Sequence, residues 1–158
     1  MTFRRSALLV AAALAGVAVG VPTAGAGSGD VQAVRSAAVG YEVALLNGSP
    51  TACQMLVPFS QSSLVEFASF ATHKQIKSCP VAVQAIATFT AAEFPNRAAY
   101  VRAGQALVNT VSRGKVKLKS AWQAEIDFYA SRMASSLDLE LRNGRWLVSG
   151  WVGGGVSP

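Results

Sequence analysis

Charged side chains make up only 14% of this chain, which holds just two cysteines and a single histidine. Thin charge beside 51% hydrophobic content excludes intrinsic disorder, because such a chain buries enough apolar surface to offset its conformational entropy. At 158 residues there is room for one domain and little for two, which excludes a large multidomain enzyme. Two cysteines and one histidine leave a structural zinc site a ligand short unless a carboxylate or water completes it, so neither metal nor cofactor is expected. Missing too is a run of about 20 strongly apolar residues that would span a membrane.

The N-terminus supplies a shorter apolar run. Arg4 and Arg5 precede residues 7–21, which are mostly Ala, Leu, Val and Gly. Pro22-Thr23-Ala24-Gly25-Ala26 then offers small residues at both positions that a cleavage after Ala26 requires. Residues 1–26 therefore read as a signal peptide, and the mature protein as secreted or held in a bacterial cell envelope. The paired arginines match a twin-arginine consensus poorly, and the first cysteine, Cys53, lies too far downstream for a lipoprotein. In an oxidising compartment, two cysteines alone are most simply one disulfide, Cys53–Cys79. Export also trims the charge. The formal +6 falls to +4 once Arg4 and Arg5 are removed, leaving twelve basic residues against eight acidic ones. The one basic stripe, Lys115, Lys117 and Lys119, has no interleaved aromatic residue to stack bases, so nucleic acid is not an expected partner.

Residues 27–30 read as a flexible lead-in to one domain over 31–152, and 153–158 as a flexible tail. Val31, Val34, Ala38, Tyr41 and Leu45 share one helical face, which Asn47-Gly48 ends. Ser49-Pro50 starts a short helix that Pro58 is expected to close. Ser60 or Ser63 caps a third helix, Ser63 with Glu66 fitting a capping box, and its stripe is Leu64, Phe67, Ala68 and Ala71. Cys79-Pro80 opens a fourth, ended at Phe94-Pro95. Residues 96–111 suit a helix or short strands equally. From Gly114 the period becomes two, through Lys115-Val116-Lys117-Leu118-Lys119, Ala124-Glu125-Ile126-Asp127-Phe128-Tyr129 and Leu137-Asp138-Leu139-Glu140-Leu141. Asn143-Gly144 is a type I′ hairpin signal leading into Arg145-Trp146-Leu147-Val148. Helices followed by an antiparallel meander give an α+β fold with N-terminal helices on one face of a curved sheet.

The run from Val116-Lys117-Leu118-Lys119 to Leu139-Glu140-Leu141-Arg142-Asn143-Gly144-Arg145-Trp146-Leu147-Val148, behind several helices, resembles the NTF2-like (SnoaL-like) superfamily. The likeness is to its small exported bacterial members with two cysteines in the helical half. The resemblance implies a cone with an apolar pocket between sheet and helices. It implies no particular chemistry, since that fold carries both enzymes and binding modules.

The hairpin register sorts the side chains. It sets Leu141 opposite Trp146, Leu139 opposite Val148 and Leu137 opposite Gly150 on one face. Arg142/Arg145, Glu140/Leu147 and Asp138/Ser149 fall on the other. Val116, Leu118, Ala124, Ile126 and Phe128 point inward; Lys115, Lys117, Lys119, Glu125, Asp127 and Tyr129 point outward. The inner sheet face thus carries no ionisable group, and no catalytic residue is assigned. Tyr41, Leu45, Phe67, Ile126, Phe128, Leu137, Leu139, Leu141, Trp146 and Val148 are expected to line a pocket for a small hydrophobic ligand. The other reading is an isomerase- or hydrolase-like enzyme acting on a hydrophobic substrate. Its acid would come from the helical half or the ambiguous 96–111 stretch, with Glu42, Glu66, Glu93 or Tyr41 as candidates.

Other motifs carry less. His73 sits in a polar stretch and reads as a solvated loop residue. Ser112-Arg113-Gly114-Lys115 matches S-x-x-K without the partner motifs of penicillin-recognising enzymes. Asn47-Gly48-Ser49 is formally a glycosylation sequon lying within a helix stop. Tyr129, Leu147 and Trp151 make the outer sheet face less polar than free surface, as expected of a homodimer contact or an envelope-protein contact.

Overall fold

The computed structural model describes residues 28–130 and 133–152; the expected cleavage after Ala26 and the tail at 153–158 lie outside them. Helix α1 (Ser28–Leu46) takes in the last three residues of the expected lead-in, with Asp30 in the first turn, where a carboxylate meets the positive end of the helix dipole. Asn47-Gly48 stops it. Gly48 takes a φ of 65°, which needs no Cβ, and the Gly48 and Ser49 amides donate to the Leu45 and Ala44 carbonyls at 3.0 and 2.9 Å.

Helix α2 (Thr51–Gln54) is a single turn. Pro58 does not close it but opens α3 (Pro58–Thr72), because proline fits the first helical turn as well as it ends a preceding one. The capping box at Ser63 and Glu66 consequently does not form. Ser63 lies one turn inside α3, and its hydroxyl donates to the Phe59 carbonyl at 3.3 Å. Helix α4 (Cys79–Ala92) begins at Cys79-Pro80 as expected. Residues 96–111 are settled as helix α5 (Arg97–Ser112), nucleated by Asn96, whose Oδ1 accepts from the Ala99 amide at 2.9 Å.

Four antiparallel strands follow in sequence order: β1 (Lys115–Leu118), β2 (Gln123–Ala130), β3 (Met133–Arg142) and β4 (Arg145–Val152). Asn143 and Gly144 both have positive φ, 52° and 74°, as a type I′ turn demands. The fold is α+β. Helix α1 touches all four strands, α3 pairs with α4, and α5 lies against α1 and β2.

The expected register holds near the turn and fails beyond it. Leu141 faces Trp146 and Leu139 faces Val148, but a shift between Asp138 and Leu139 sets Asp138 opposite Gly150 and Leu137 opposite Trp151. Ser149 is the extra residue of a β-bulge. Such an insertion reverses the inside–outside alternation downstream. Its carbonyl accepts from Ser60 Oγ of α3 at 2.8 Å. The same strand is pinned from the segment between α2 and α3, with Val148 N donating to the Met55 carbonyl at 2.7 Å and Val57 N to the Val148 carbonyl at 3.0 Å.

The Cys53–Cys79 disulfide ties α2 to the start of α4, its Cα atoms 5.9 Å apart and both residues buried. The chain turns from α5 into β1 at Gly114, where a Cβ would stand 2.7 Å from Ile126 Cγ1 and 2.8 Å from the Asp127 carbonyl oxygen. On the outer sheet face the alternating charges pair, the lysines across strands and Arg142 with Glu140 along β3. Lys117 binds Asp127, Lys119 reaches Glu125 at 3.0 Å and Asp138 at 2.9 Å, and Arg142 reaches Glu140 at 2.6 Å.

Candidate functional site

Helix α1 runs its apolar stripe, Val34, Ala38 and Tyr41, over the inner sheet face. Glu42 follows Ala38 by four residues and Val34 by eight, so helical geometry draws it to the edge of that same stripe. It is 8% exposed. Beside it a cavity of about 400 Å³ opens between helices and sheet, a volume suited to a small organic molecule. Tyr41, Glu42 and Leu45 of α1 form one wall, Leu64 and Phe67 of α3 a second, and Ile86 and Phe89 of α4 a third. Tyr100 and Leu107 of α5 close one side, and Phe128, Ser136, Leu137 and Trp151 of the sheet supply the floor.

Five of the residues expected to line a pocket therefore do so: Tyr41, Leu45, Phe67, Phe128 and Leu137. The other five, Ile126, Leu139, Leu141, Trp146 and Val148, do not reach it. They share the inner face and pack into the core, where the segment between α2 and α3 meets the sheet through the bridge between Leu56 and Val148. Phe67 is half exposed rather than buried and stands at the cavity mouth, as does Phe89. Trp151 belongs to the cavity and not to the outer face, because the bulge at Ser149 turns it inward. Ile86 and Phe89, three apart on α4, and Tyr100, in the ambiguous stretch, were not singled out by the sequence. The 3.6-residue period of α4 was the available signal for the first two.

The polar lining is sparse and unevenly satisfied. The Tyr100 hydroxyl donates to the Leu46 carbonyl at 2.6 Å, and its ring meets Phe94 edge-on at 5.6 Å. Neither the Glu42 carboxyl nor the Tyr41 hydroxyl makes a hydrogen bond or ion pair among the described residues. Burial in apolar surroundings disfavours the charged carboxylate and pushes Glu42 up to about 7. Tyr41 is raised for the same reason, with Glu42 adding to it, and stays neutral. Glu93 also borders the cavity but is exposed. The sheet contributes no ionisable lining group, in keeping with the alternation of its strands.

The remaining candidates fall elsewhere. Glu66 is exposed on α3. His73 caps the end of α3 in the left-handed conformation, exposed. Ser112 ends α5 with its hydroxyl donating to the Asn109 carbonyl at 2.8 Å, and Asn47 Nδ2 donates to the Val43 carbonyl at 2.8 Å. Ser135, opposite Phe128 in the ladder, has a buried hydroxyl without a partner but does not line the cavity. Tyr129 is exposed on the outer face. Among the described residues no three His, Cys, Asp or Glu side chains converge, and no helix is long and apolar enough to cross a membrane. Comparison of the chain with protein families, with curated proteins and with solved structures gave no match.

Proposed function

We propose that this chain is an exported, NTF2-like binding domain whose cavity takes up a small hydrophobic ligand. The observation that carries the reading is the cavity itself: about 400 Å³, walled by aromatic and aliphatic side chains from four helices and the sheet. Each Å² of apolar ligand surface removed from water there contributes about 25 cal/mol. Export rests on the leader-like residues 1–26 and accords with the buried disulfide, a bond that persists outside the reducing cytosol.

Native mass spectrometry of the secreted protein tests both halves. The mass should correspond to a chain beginning at Gly27 with an intact disulfide, and a small-molecule adduct should accompany it. Thr90→Trp fills the cavity from α4 without touching the core, and should abolish the adduct while the domain stays folded. An adduct retained unchanged by Thr90→Trp would place the ligand elsewhere and refute the reading.

Glu42 favours a second reading, the enzyme. A carboxylate held near 7 in an apolar cavity is matched to proton transfer at neutral pH. Under that reading Glu42 takes a proton from a carbon acid of the bound molecule and returns it at another position. Incubating the captured ligand with the protein in D2O decides between the two. Deuterium entering a carbon position, and failing to enter with Glu42→Gln, establishes the enzyme; no incorporation leaves a binding domain.

A further inference from the structure

From the pairing of an aromatic-walled cavity with one unpartnered, buried carboxyl group, we infer that the ligand is a hydrophobic amine, its ammonium group seated against Glu42 and its apolar body against Phe128 and Trp151. The inference rests on the binding reading above and names the ligand's chemistry. Glu42 is more than nine-tenths buried, borders the cavity and has neither hydrogen-bond donor nor cation from the protein among the described residues. A buried carboxyl group carries charge at little cost only when it is paired, and otherwise keeps its proton. Here a cationic guest supplies the partner that the protein does not.

The walls fit a cation better than any other polar head. Tyr41, Phe67, Phe89, Tyr100, Phe128 and Trp151 all border the cavity, and aromatic faces attract an ammonium group in a desolvated site. No lysine, arginine or histidine lines the cavity, so an anionic head would meet only like charge. A neutral hydroxyl would satisfy one hydrogen bond and leave the charge unopposed. An ammonium group makes the same charge-assisted bond and adds the attraction of opposite charges, which a low-dielectric cavity strengthens.

The same arrangement makes uptake pH-dependent. Burial alone holds Glu42 near 7, so the carboxyl is neutral in mild acid and charged above neutrality. Of the other titratable groups facing the cavity, Tyr41 from α1 and Tyr100 from α5 are both raised by burial and stay uncharged. Glu93, where α4 ends, lies exposed at the rim and carries the same sign as Glu42. The strands add none.

Three probes of one shape test this: 4-phenylbutylamine, 4-phenylbutanol and 4-phenylbutyrate, titrated calorimetrically against the ligand-free mature protein near pH 5.5 and pH 8. The amine should bind at least about tenfold more tightly than the alcohol near pH 8, and the gap should close near pH 5.5. Glu42→Gln should bring the amine down to the alcohol while alcohol binding persists, which also reports an intact cavity. Glu93→Gln should keep most of the preference. Equal binding of amine and alcohol near pH 8, a preference for the butyrate, or an amine preference surviving Glu42→Gln would overturn the assignment yet leave the cavity reading standing. Failure of all three probes to bind would remove the cavity reading itself, and this inference with it.

Discussion

Replacing Glu42 by glutamine should stabilise the ligand-free protein, and by an amount that grows with pH. The carboxyl titrates near its ordinary 4.5 in the unfolded chain and at about 7 in the folded one. A raised carboxyl value means that the native state holds its proton longer, so native stability falls as the pH climbs through that window. Below 4.5 both states are protonated and the group costs nothing. Near pH 5 the penalty is under about 1 kcal/mol, and by pH 8 it reaches about 3 kcal/mol. Glutamine keeps the shape and carries no charge, so about 2.5 kcal/mol of this pH dependence should vanish in the variant. Urea unfolding followed by tryptophan fluorescence, for both proteins near pH 5 and pH 8, reads the difference directly. Asp127, which Lys117 holds below the usual carboxylate range, gives the opposite slope in acid, but it is common to both proteins and cancels. Parallel stability curves, or a variant less stable near pH 8, would show that Glu42 is paired or hydrated in solution, and the argument for a charged cavity wall would collapse.

Replacing Cys53 and Cys79 by alanine opens a loop of 26 residues and should cost about 3.5 kcal/mol on the chain-entropy relation; a loss under about 1 kcal/mol in denaturant titration would count against the bond's constraining role. Gly114→Ala forces a methyl against two carbonyl oxygens and Ile126, and should cost about 2 kcal/mol, read as a lowered melting temperature. Phe128→Asp places an unpaired charge in the core and should leave a chain that is unfolded by circular dichroism. Asp127→Ala, its neighbour on the outer face, loses only a surface pair with Lys117 and should cost less than about 1 kcal/mol. If Asp127→Ala unfolded the protein and Phe128→Asp did not, the facing of β2 would be inverted.

Signals that act locally were legible in the sequence. Asn47-Gly48 needs only positive φ at Gly48, Asn143-Gly144 only a type I′ turn, and the alternation of β1 and β2 only one buried face. Each of these was placed correctly. Proline at position 58 satisfies a helix end and a helix start equally, and only the position of α3 chooses between them. Helix α5 is capped by Asn96, but Tyr100, Gly104, Leu107 and Val111 also tolerate strand, so spacing alone left the stretch open. The cavity was half legible. Its α1 wall follows from spacing, and Glu42, four residues past Ala38, is one of the candidate acids of the helical half. What the sequence could not carry was depth. Leu139 and Val148 obey the same alternation as Phe128, yet only the position of the segment between α2 and α3 decides which of them meet a void and which meet Leu56.

One extra residue at Ser149 divides β4 into two stretches of opposite phase. Upstream, Trp146 and Val148 anchor the hairpin to the core; downstream, Trp151 furnishes the cavity. Because the phase changes between them, pairing the downstream stretch without the bulge would set Gly150 opposite Leu137 and turn Trp151 to the outer face, without disturbing the turn or the upstream pairs. The strand thus separates inheritance of the fold from inheritance of the pocket. Related chains could withdraw the aromatic wall by pairing this stretch without the bulge, a shorter evolutionary path to a new ligand than repacking the helices.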